Sequence, residues 1–353
     1  MTQLSPNNSH RRQPELDIAK GFAILFMVWV HIFDELQPMG EGIGYILVEV
    51  LGGPFSAPVF MVCMGIGMDF SRHNRPTDLC RRGATLLGIG FILNLLRYVL
   101  PNLMKYAITG DAVWLKAMSS VFSVDILQFA GLAFFVIALM KKLSLKNWQM
   151  LITALGCSLL GTLTIGRSSG SEVFDYVLGF FIGVGAESYF PLLNWIIFPV
   201  FGLWFGDILQ HSRDKAKLYL HLAPVTAALM LCYLGLTIKY GLMFLSGGSY
   251  YRIVTIDAIF FCILCILVFS VCYWLSTRLP EKLLSPLRRW SIHINTIYCI
   301  HWVFLGLLKM GKQLLWPEQI LPFWLGTGMA LVLLAVSDTL AAIYKARYGK
   351  KIY

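Results

Sequence analysis

The chain has 353 residues, of which 57% are hydrophobic and 14% charged, and its mean hydropathy is +0.68. A soluble domain usually carries about a quarter charged residues, so the composition excludes that class and predicts a multi-pass protein of the lipid bilayer. The net charge of +10 does not indicate a nucleic-acid partner, because the cations lie in short clusters between apolar runs, where they indicate membrane orientation.

Apolar windows of about twenty residues predict an all-α membrane helix bundle with about ten transmembrane helices. The predicted spans are 18–36, 54–71, 81–100, 121–140, 147–166, 189–209, 218–238, 256–276, 290–309 and 321–344. If the N-terminus is cytoplasmic, every inside segment carries at least three lysines or arginines, as the positive-inside rule expects. We therefore predict one transmembrane domain over 1–353 in the plasma membrane, with both termini cytoplasmic and a disordered tail at 1–11.

Three segments do not fit simple spans, and all three fall on the outer side of the predicted topology. Gly42 to Gly53 is short and apolar, which predicts an interfacial or re-entrant segment. Residues 101–120 are predicted to form a polar outer loop, and 167–188 contain an apolar stretch too short to cross the bilayer. Longer outer loops favour recognition of a molecule outside the cell.

The first span carries the clearest chemical pattern. Read as a helix, it places Asp17, Lys20 and His31 on one stripe, with the histidine about two-thirds of the way across the hydrocarbon layer. An ionisable residue at that depth is a functional candidate, and a neutral imidazole suits a general base. Asp34, one turn further on, could orient the ring, so His31 and Asp34 form the predicted catalytic pair. The alternative is a histidine that only hydrogen-bonds within the bundle.

Other polar groups inside the predicted spans indicate a polar cavity, although each alone could simply hold helices together. These groups are Asn94, Arg97, Asp125, Gln128, Asp257, Asn295, Tyr298, His301 and Asp338. Asn295, Tyr298 and His301 recur at every third position, loosely on one helix face. His301 is the second candidate for the catalytic histidine.

Cations cluster at the predicted cytoplasmic ends of the first three spans. They are Arg12, Lys20, Arg72, Arg75, Arg81 and Arg82. Topology and contact with anionic lipid explain many such residues, but a ligand with several phosphates would suit the same cluster. The sequence contains no nucleotide-binding loop, hydrolase elbow or zinc motif, and we predict no metal site.

Five motifs in order resemble the transmembrane acyltransferase superfamily, which includes acyltransferase family 3 and heparan-alpha-glucosaminide N-acetyltransferase. The first is Arg12-x4-Asp17-x2-Lys20-Gly21-x9-His31. The others are Ala57-Pro-Val-Phe-Met-Val-Cys-Met-Gly65, Ser123-Val-Asp-Ile-Leu-Gln128, Tyr189-Phe-Pro-Leu-Leu-Asn-Trp195 and Asn295-Thr-Ile-Tyr298-Cys-Ile-His301. His31 fits the family 3 pattern, whereas the third and fourth motifs lean toward the heparan branch. Lys20 stands where the family usually has arginine, which keeps the charge but loses the bidentate fork.

The resemblance implies acyl transfer from cytoplasmic acyl-CoA, most simply acetyl-CoA, to a hydroxyl or amine of an extracytoplasmic carbohydrate or envelope acceptor. From the cation cluster beside the Asp17–His31 stripe, we predict that the donor binds at Arg12, Asp17, Lys20, Arg81 and Arg82. From the polar groups inside the spans, we predict that the acceptor binds at Asp125, Gln128, Asn295, Tyr298 and His301. A transporter of a glycan or amphiphilic precursor is the alternative from another class, although the two related halves typical of transporters are not evident. An interaction scaffold would not need an intramembrane histidine. Assembly as a homodimer stays open.

Overall fold

The computed structural model describes residues 13–36, 40–185, 187–241, 246 and 249–348. Arg12 and the tail at 1–11 lie outside these residues. The described chain is almost entirely helical, and its helices are α1 (Pro14–Leu36), α2 (Ile43–Gly52), α3 (Ala57–Phe70), α4 (Pro76–Asn94), α5 (Leu100–Thr109), α6 (Ile126–Lys142), α7 (Asn147–Thr164), α8 (Glu172–Leu178), α9 (Leu192–Trp195), α10 (Ile197–His211), α11 (Lys215–Tyr240), α12 (Thr255–Arg278), α13 (Glu281–Leu315) and α14 (Phe323–Tyr348).

Eight helical stretches in the described part of the chain are long and apolar enough to cross a membrane. They are Pro14–Leu36, Ile43–Phe70, Pro76–Thr109, Leu192–His211, Lys215–Tyr240, Thr255–Arg278, Glu281–Leu315 and Phe323–Tyr348. The other two predicted spans coincide with α6 and α7, which have 17 and 18 residues. The predicted all-α polytopic bundle is confirmed, while the count of ten spans and the side of the termini stay predictions.

The predicted outer loop at 101–120 is wrong. The helix of the third span continues to Thr109 through a π-helical turn at Leu95–Val99, and a 3₁₀ helix at Ala112–Phe122 follows. The predicted third span ends at residue 100, directly before Pro101, and a proline ordinarily ends a helix because it lacks an N–H and clashes with the preceding turn. The wider turn, in which Leu100 N–H donates to the Leu95 carbonyl, lies directly before Pro101 and accommodates it.

The fourth predicted span, 121–140, begins later than expected because Asp125 caps α6. Its carboxylate accepts from Ile126 N–H at 2.6 Å, and Gln128 Oε1 accepts from Asp125 N–H at 3.3 Å, which together form a capping box. As the N-cap, Asp125 precedes the first residue of α6 and is not one of its helical residues. This placement leaves the Asp125 side chain in the interior of the bundle, where it is 8% exposed.

Close helix pairs hold the bundle together: α3 packs on α10, α4 on α6, and α1 on α13. Glycines let α3 and α10 touch, because a Cβ at Gly65 would lie 1.9 Å from the Pro199 carbonyl oxygen and one at Gly202 would lie 2.1 Å from that of Val62. By contrast, α11 exposes much of its apolar surface, as a helix in contact with lipid does. In the interior of this bundle, His31 lies on α1, Asp125 at the start of α6, and Tyr298 on α13.

Candidate active site

Two histidines meet in the interior of the bundle. His31 on α1 and His301 on α13 approach with Nδ1 of His31 and Nε2 of His301 3.0 Å apart, and the two rings are nearly parallel. Trp302 packs against His31 with ring centroids 4.3 Å apart. The close packing of α1 on α13 therefore brings together side chains 270 residues apart in the sequence.

The hydrogen bonds fix which nitrogen of each ring carries its proton. His301 Nδ1 lies 3.1 Å from the Ile297 carbonyl oxygen, and because a carbonyl only accepts, Nδ1 of His301 is the donor. In the neutral ring, His301 Nε2 is then an acceptor and receives the proton of His31 Nδ1. With Nδ1 of His31 carrying the proton, the lone pair of the neutral ring is on Nε2, which has no hydrogen-bond partner among the described residues. His31 is thus arranged as a base.

A buried ion pair lies next to the histidines. Arg97, in the π-helical turn, donates through Nη1 to Asp125 Oδ2 at 2.5 Å, and the Tyr298 hydroxyl donates to the same oxygen at 2.8 Å. The Arg97 guanidinium lies 4.3 Å from the centre of the Trp302 ring, which also contacts His31. The ion pair and Tyr298 therefore link the π-helical turn, the start of α6 and α13 beside the histidines, and they limit how far either ring can turn.

His31 opens onto a cavity of about 170 Å³, here called the histidine cavity. Asp34, Glu49 and Asp125 place carboxylates in its wall, beside Tyr250 and Tyr251. Burial raises the pKa of both tyrosines well above the ordinary value, so they line the cavity as neutral phenols. Carboxylates and phenols around a small space favour a ligand rich in hydroxyl or amino groups.

A larger cavity of about 1120 Å³, the arginine cavity, lies toward the N-terminal end of α1. Lys20, Arg81 and Arg82 all line it, so the structure brings these three predicted donor residues together. Four residues line both cavities: Met27, Phe60, Ile126 and Tyr298. The arginine cavity thus borders the histidine cavity at these side chains. Along α1, the rise from Lys20 to His31 is about 16 Å.

A family profile described as an acyltransferase domain, that of acyltransferase family 3, matches residues 13–342. The chain belongs to acyltransferase family 3. No curated protein matches the chain in sequence. Family membership confirms the resemblance drawn from the motifs, and with the apolar helices it makes the protein a membrane acyltransferase.

Several predicted residues of this acyltransferase lie outside both cavity walls. Asp17 accepts from Ser291 Oγ at 2.7 Å and lies 3.2 Å from Lys20 Nζ, so it holds α1 on α13 and positions the lysine. Gln128 belongs to the cap of α6. His301 is fully buried behind His31 and lines neither cavity. These three support the site from outside the cavities instead of lining them.

Two further placements of the acyltransferase differ from expectation in detail. Asp34 lines the histidine cavity, but the hydrogen-bond acceptor that orients His31 is Nε2 of His301 and not Asp34. Asn295 lines the arginine cavity rather than the histidine cavity. Asp257 and Asp338 lie away from the histidines, because Asp257 accepts from Tyr233 at 2.8 Å and Asp338 pairs with Arg289.

The sequence did not single out Trp302 or Lys105 of the acyltransferase. Trp302 follows His301 directly, so its place beside the histidines could have been inferred from its neighbour. Lys105 is buried, 4% exposed, on α5, within the segment that the sequence predicted as an outer loop. Had the helix been extended through Pro101, Lys105 would have been placed about two turns beyond Arg97.

Proposed function

We propose that this membrane acyltransferase moves an acyl group, most simply acetyl, from cytoplasmic acyl-CoA to a hydroxyl or amine of a carbohydrate or envelope acceptor on the opposite face of the plasma membrane. The observation that carries the proposal is the pair of adjoining cavities, with cations lining one and His31 in the wall of the other. The arginine cavity would take the donor, and the histidine cavity the reacting groups.

The donor assignment rests on charge and reach. Arg81 and Arg82 are exposed and Lys20 is half-buried, so their cations can meet phosphates of the nucleotide without a large cost of desolvation. A long pantetheine arm suits a path that runs from these cations past Met27 and Phe60 to His31. The walls of that path are largely apolar, which favours a thioester over a charged group at its end.

The reaction follows from the proton positions. His31 Nε2 takes the proton of the acceptor hydroxyl or amine while the acceptor oxygen or nitrogen attacks the thioester carbonyl. The new C–O or C–N bond forms as the C–S bond breaks, and the imidazolium returns its proton to the departing thiolate of CoA. His301 Nε2 continues to accept from His31 Nδ1, which keeps the ring oriented through the transfer.

Asp34 would bind the acceptor. Together with Glu49 it gives the histidine cavity carboxylate oxygens that can accept hydrogen bonds from the hydroxyls of a sugar. Held in this way, the reacting hydroxyl would stay close to Nε2 of His31, and positioning of this kind supplies a large share of catalytic rate.

A glycan transporter without bond chemistry is the second candidate, since a transporter also needs a polar path through the bundle. Purified protein in lipid nanodiscs separates the two. The acyltransferase should bind CoA in calorimetry and release free CoA slowly from acetyl-CoA in the absence of acceptor. A protein that neither binds CoA nor cleaves the thioester would favour transport.

A further inference from the structure

A third cavity, here called the lysine cavity, occupies about 480 Å³ beside the π-helical turn, at the end of α1 opposite Lys20. The groups in its wall that matter below are Arg97, Asn102, Lys105, Lys116, Glu187, Lys309 and Gln313. It adjoins the histidine cavity across the buried ion pair, because Arg97 lines the lysine cavity and its partner Asp125 lines the histidine cavity.

Arg97, one of the residues that line this cavity, carries hydrogen-bond donors without an acceptor. The residue is 3% exposed, and its Nη1 is taken by Asp125, but Nε and Nη2 have no acceptor among the described residues. Buried donors are almost always paired in folded proteins, so two unpaired donors on one guanidinium point to a ligand that accepts from them. The rings of Tyr98 and Trp302, at 4.4 and 4.3 Å, hold the guanidinium in place.

Lys105 adds a second buried cation. It is 4% exposed, donates from Nζ to Gln313 Oε1 at 2.7 Å and lies 3.7 Å above the Trp114 ring. Its ammonium has three donors, and no carboxylate pairs with it in the described part of the chain. A buried cation of this kind is normally compensated by an anion, and a ligand can supply one.

The remaining charges of the wall cancel only part of this excess. Glu35 pairs with Lys309 at 2.5 Å, so that lysine is already compensated. Lys116 is exposed and has no ion pair among the described residues. Glu187 brings one negative charge to the wall, so one positive charge of Lys105 and Lys116 is left over. Glu187 also accepts hydrogen bonds from Ser120 and Ser123 and, with Asn102 and Gln313, gives the cavity polar groups suited to hydroxyls.

We infer that the lysine cavity binds a saccharide through an anionic group, a carboxylate or a phosphate, held by Arg97, Lys105 and Lys116. The inference rests on the proposed function only in taking this saccharide to be the acyl acceptor; binding of the anionic sugar stands without it. Because the lysine cavity lies beside the Arg97–Asp125 ion pair, a saccharide bound there would extend its hydroxyls toward the histidine cavity.

The test uses the full chain in nanodiscs of neutral lipid, with CoA at saturation so that the arginine cavity is occupied. Glucuronate and glucose 1-phosphate serve as carboxylate and phosphate probes, and glucose is the neutral control. Binding is followed by the rise in the thermal unfolding midpoint across a titration. At least one anionic sugar should raise the midpoint at concentrations where glucose has no effect, and the better probe identifies the anion.

Substitutions then locate the site. Lys105→Gln and Lys116→Gln should each weaken binding of the better probe by about tenfold, and Lys105→Arg should keep most of it. Lys239→Gln, which removes an exposed lysine outside the cavity, is the matched control and should change nothing. If Lys105→Gln does not fold, Lys116→Gln and Lys105→Arg still decide the assignment.

Equal effects of glucose and both anions, or unchanged binding in Lys116→Gln and Lys105→Gln, would overturn the inference. The outcome is separable from that of the proposed function. Anionic sugar binding by a protein that neither binds nor cleaves acetyl-CoA would keep this site and remove the acyltransfer mechanism. Cleavage of acetyl-CoA without anion binding would do the reverse.

Discussion

The arginine cavity and the lysine cavity are both lined by cations, yet they are built differently. Arg81 and Arg82 are adjacent in the sequence and exposed, whereas Arg97 and Lys105 are buried and reach one cavity only because a π-helical turn carries the helix past Pro101. Hydrated cations suit a ligand that arrives with several phosphates and leaves again. Buried cations with unused donors suit one group held in a fixed position.

The arginine cavity is thus built to dock a ligand, and the lysine cavity to position one. In the arginine cavity each cation contributes charge that salt can screen, and the loss of one is tolerated. In the lysine cavity the guanidinium of Arg97 also belongs to the ion pair with Asp125, next to the histidines. A substitution in the lysine cavity should therefore alter the rate of acyl transfer, while a substitution in the arginine cavity should alter only the affinity for the donor.

The largest effect is expected at the histidine between the two cavities. His31→Ala should lower acyl transfer by on the order of 10²–10⁴-fold, the usual contribution of a general base, with CoA affinity unchanged. Release of CoA from acetyl-CoA and calorimetric CoA binding measure the two quantities. His221→Ala, at an exposed histidine of α11, is the control. If CoA affinity fell in proportion to the loss of turnover, His31 would be a donor-binding residue and not the general base.

His301 should act by positioning His31. His301→Ala removes the acceptor for His31 Nδ1 and should lower kcat by roughly ten- to hundredfold, since small misplacements of a reacting group are costly. His301→Gln offers a side-chain oxygen that can accept the same proton and should restore part of the rate, with little change in KM. Identical losses in both variants would mean that His301 takes part in proton transfer itself.

Arg81→Gln with Arg82→Gln should weaken CoA binding by about tenfold and reduce its dependence on salt, because two screened charges are lost. The value of kcat at saturating donor should hold. The matched control is Lys142→Gln with Arg213→Gln, which removes the same charge outside the cavity. If the control pair weakened binding equally, these cations would serve topology alone.

Gly306→Ala tests whether the two basic cavities are independent. A Cβ at this glycine would lie 2.6 Å from the Arg97 carbonyl oxygen, so the substitution should push α13 from the π-helical turn and cost about 1–3 kcal/mol of stability. Binding of the anionic sugar should fall while CoA affinity stays the same. Gly311→Ala, on the same helix with nothing within 4 Å, should leave both binding assays unchanged and should not lower the unfolding midpoint, since alanine favours the helix.

The smallest effect concerns the segment beside Glu187. Hydrogen bonds from Ser168 and Ser169 hold the pKa of Asp175 below its usual range. The stability they add is therefore complete above the ordinary pKa of an aspartate and is lost as the pH falls through the lowered value in the folded protein. Hydrogen exchange of the Ser169 amide, corrected for intrinsic rates, should accelerate at low pH, and Asp175→Asn should remove that pH dependence.

The parts of the molecule that the sequence could predict share a physical cause. Apolar runs and clustered cations repeat locally, so each of the ten predicted spans coincides with a helix, and Lys20, Arg81 and Arg82 lie in one cavity. The contact of His31 with His301 depends on how α1 packs on α13, which no local pattern encodes. Gln128 takes part in the cap of α6, and Asp17 holds α1 on α13. These roles also depend on contacts that no local pattern encodes.

The lysine cavity could not be predicted because one backbone feature created it. Pro101 ordinarily ends a helix, and only the wide turn at Leu95–Val99 lets the chain continue to Lys105. Arg97 was recognised as an intramembrane charge, but its partner and its unused donors depend on that turn. Sequence periodicity assumes regular helices and fails where a bulge changes the register.

The central claim is that the donor enters from the face of the membrane on which α1 begins, and sealed vesicles test it most directly. Cys80, exposed beside Arg81, reports orientation through labelling by an impermeant maleimide on a separate sample, in a Cys232→Ser background that removes the other exposed thiol. Acetyl-CoA supplied to the face where Cys80 is labelled should be cleaved, and His31→Ala should abolish the cleavage. Cleavage only from the opposite face, or equally from both, would contradict the account.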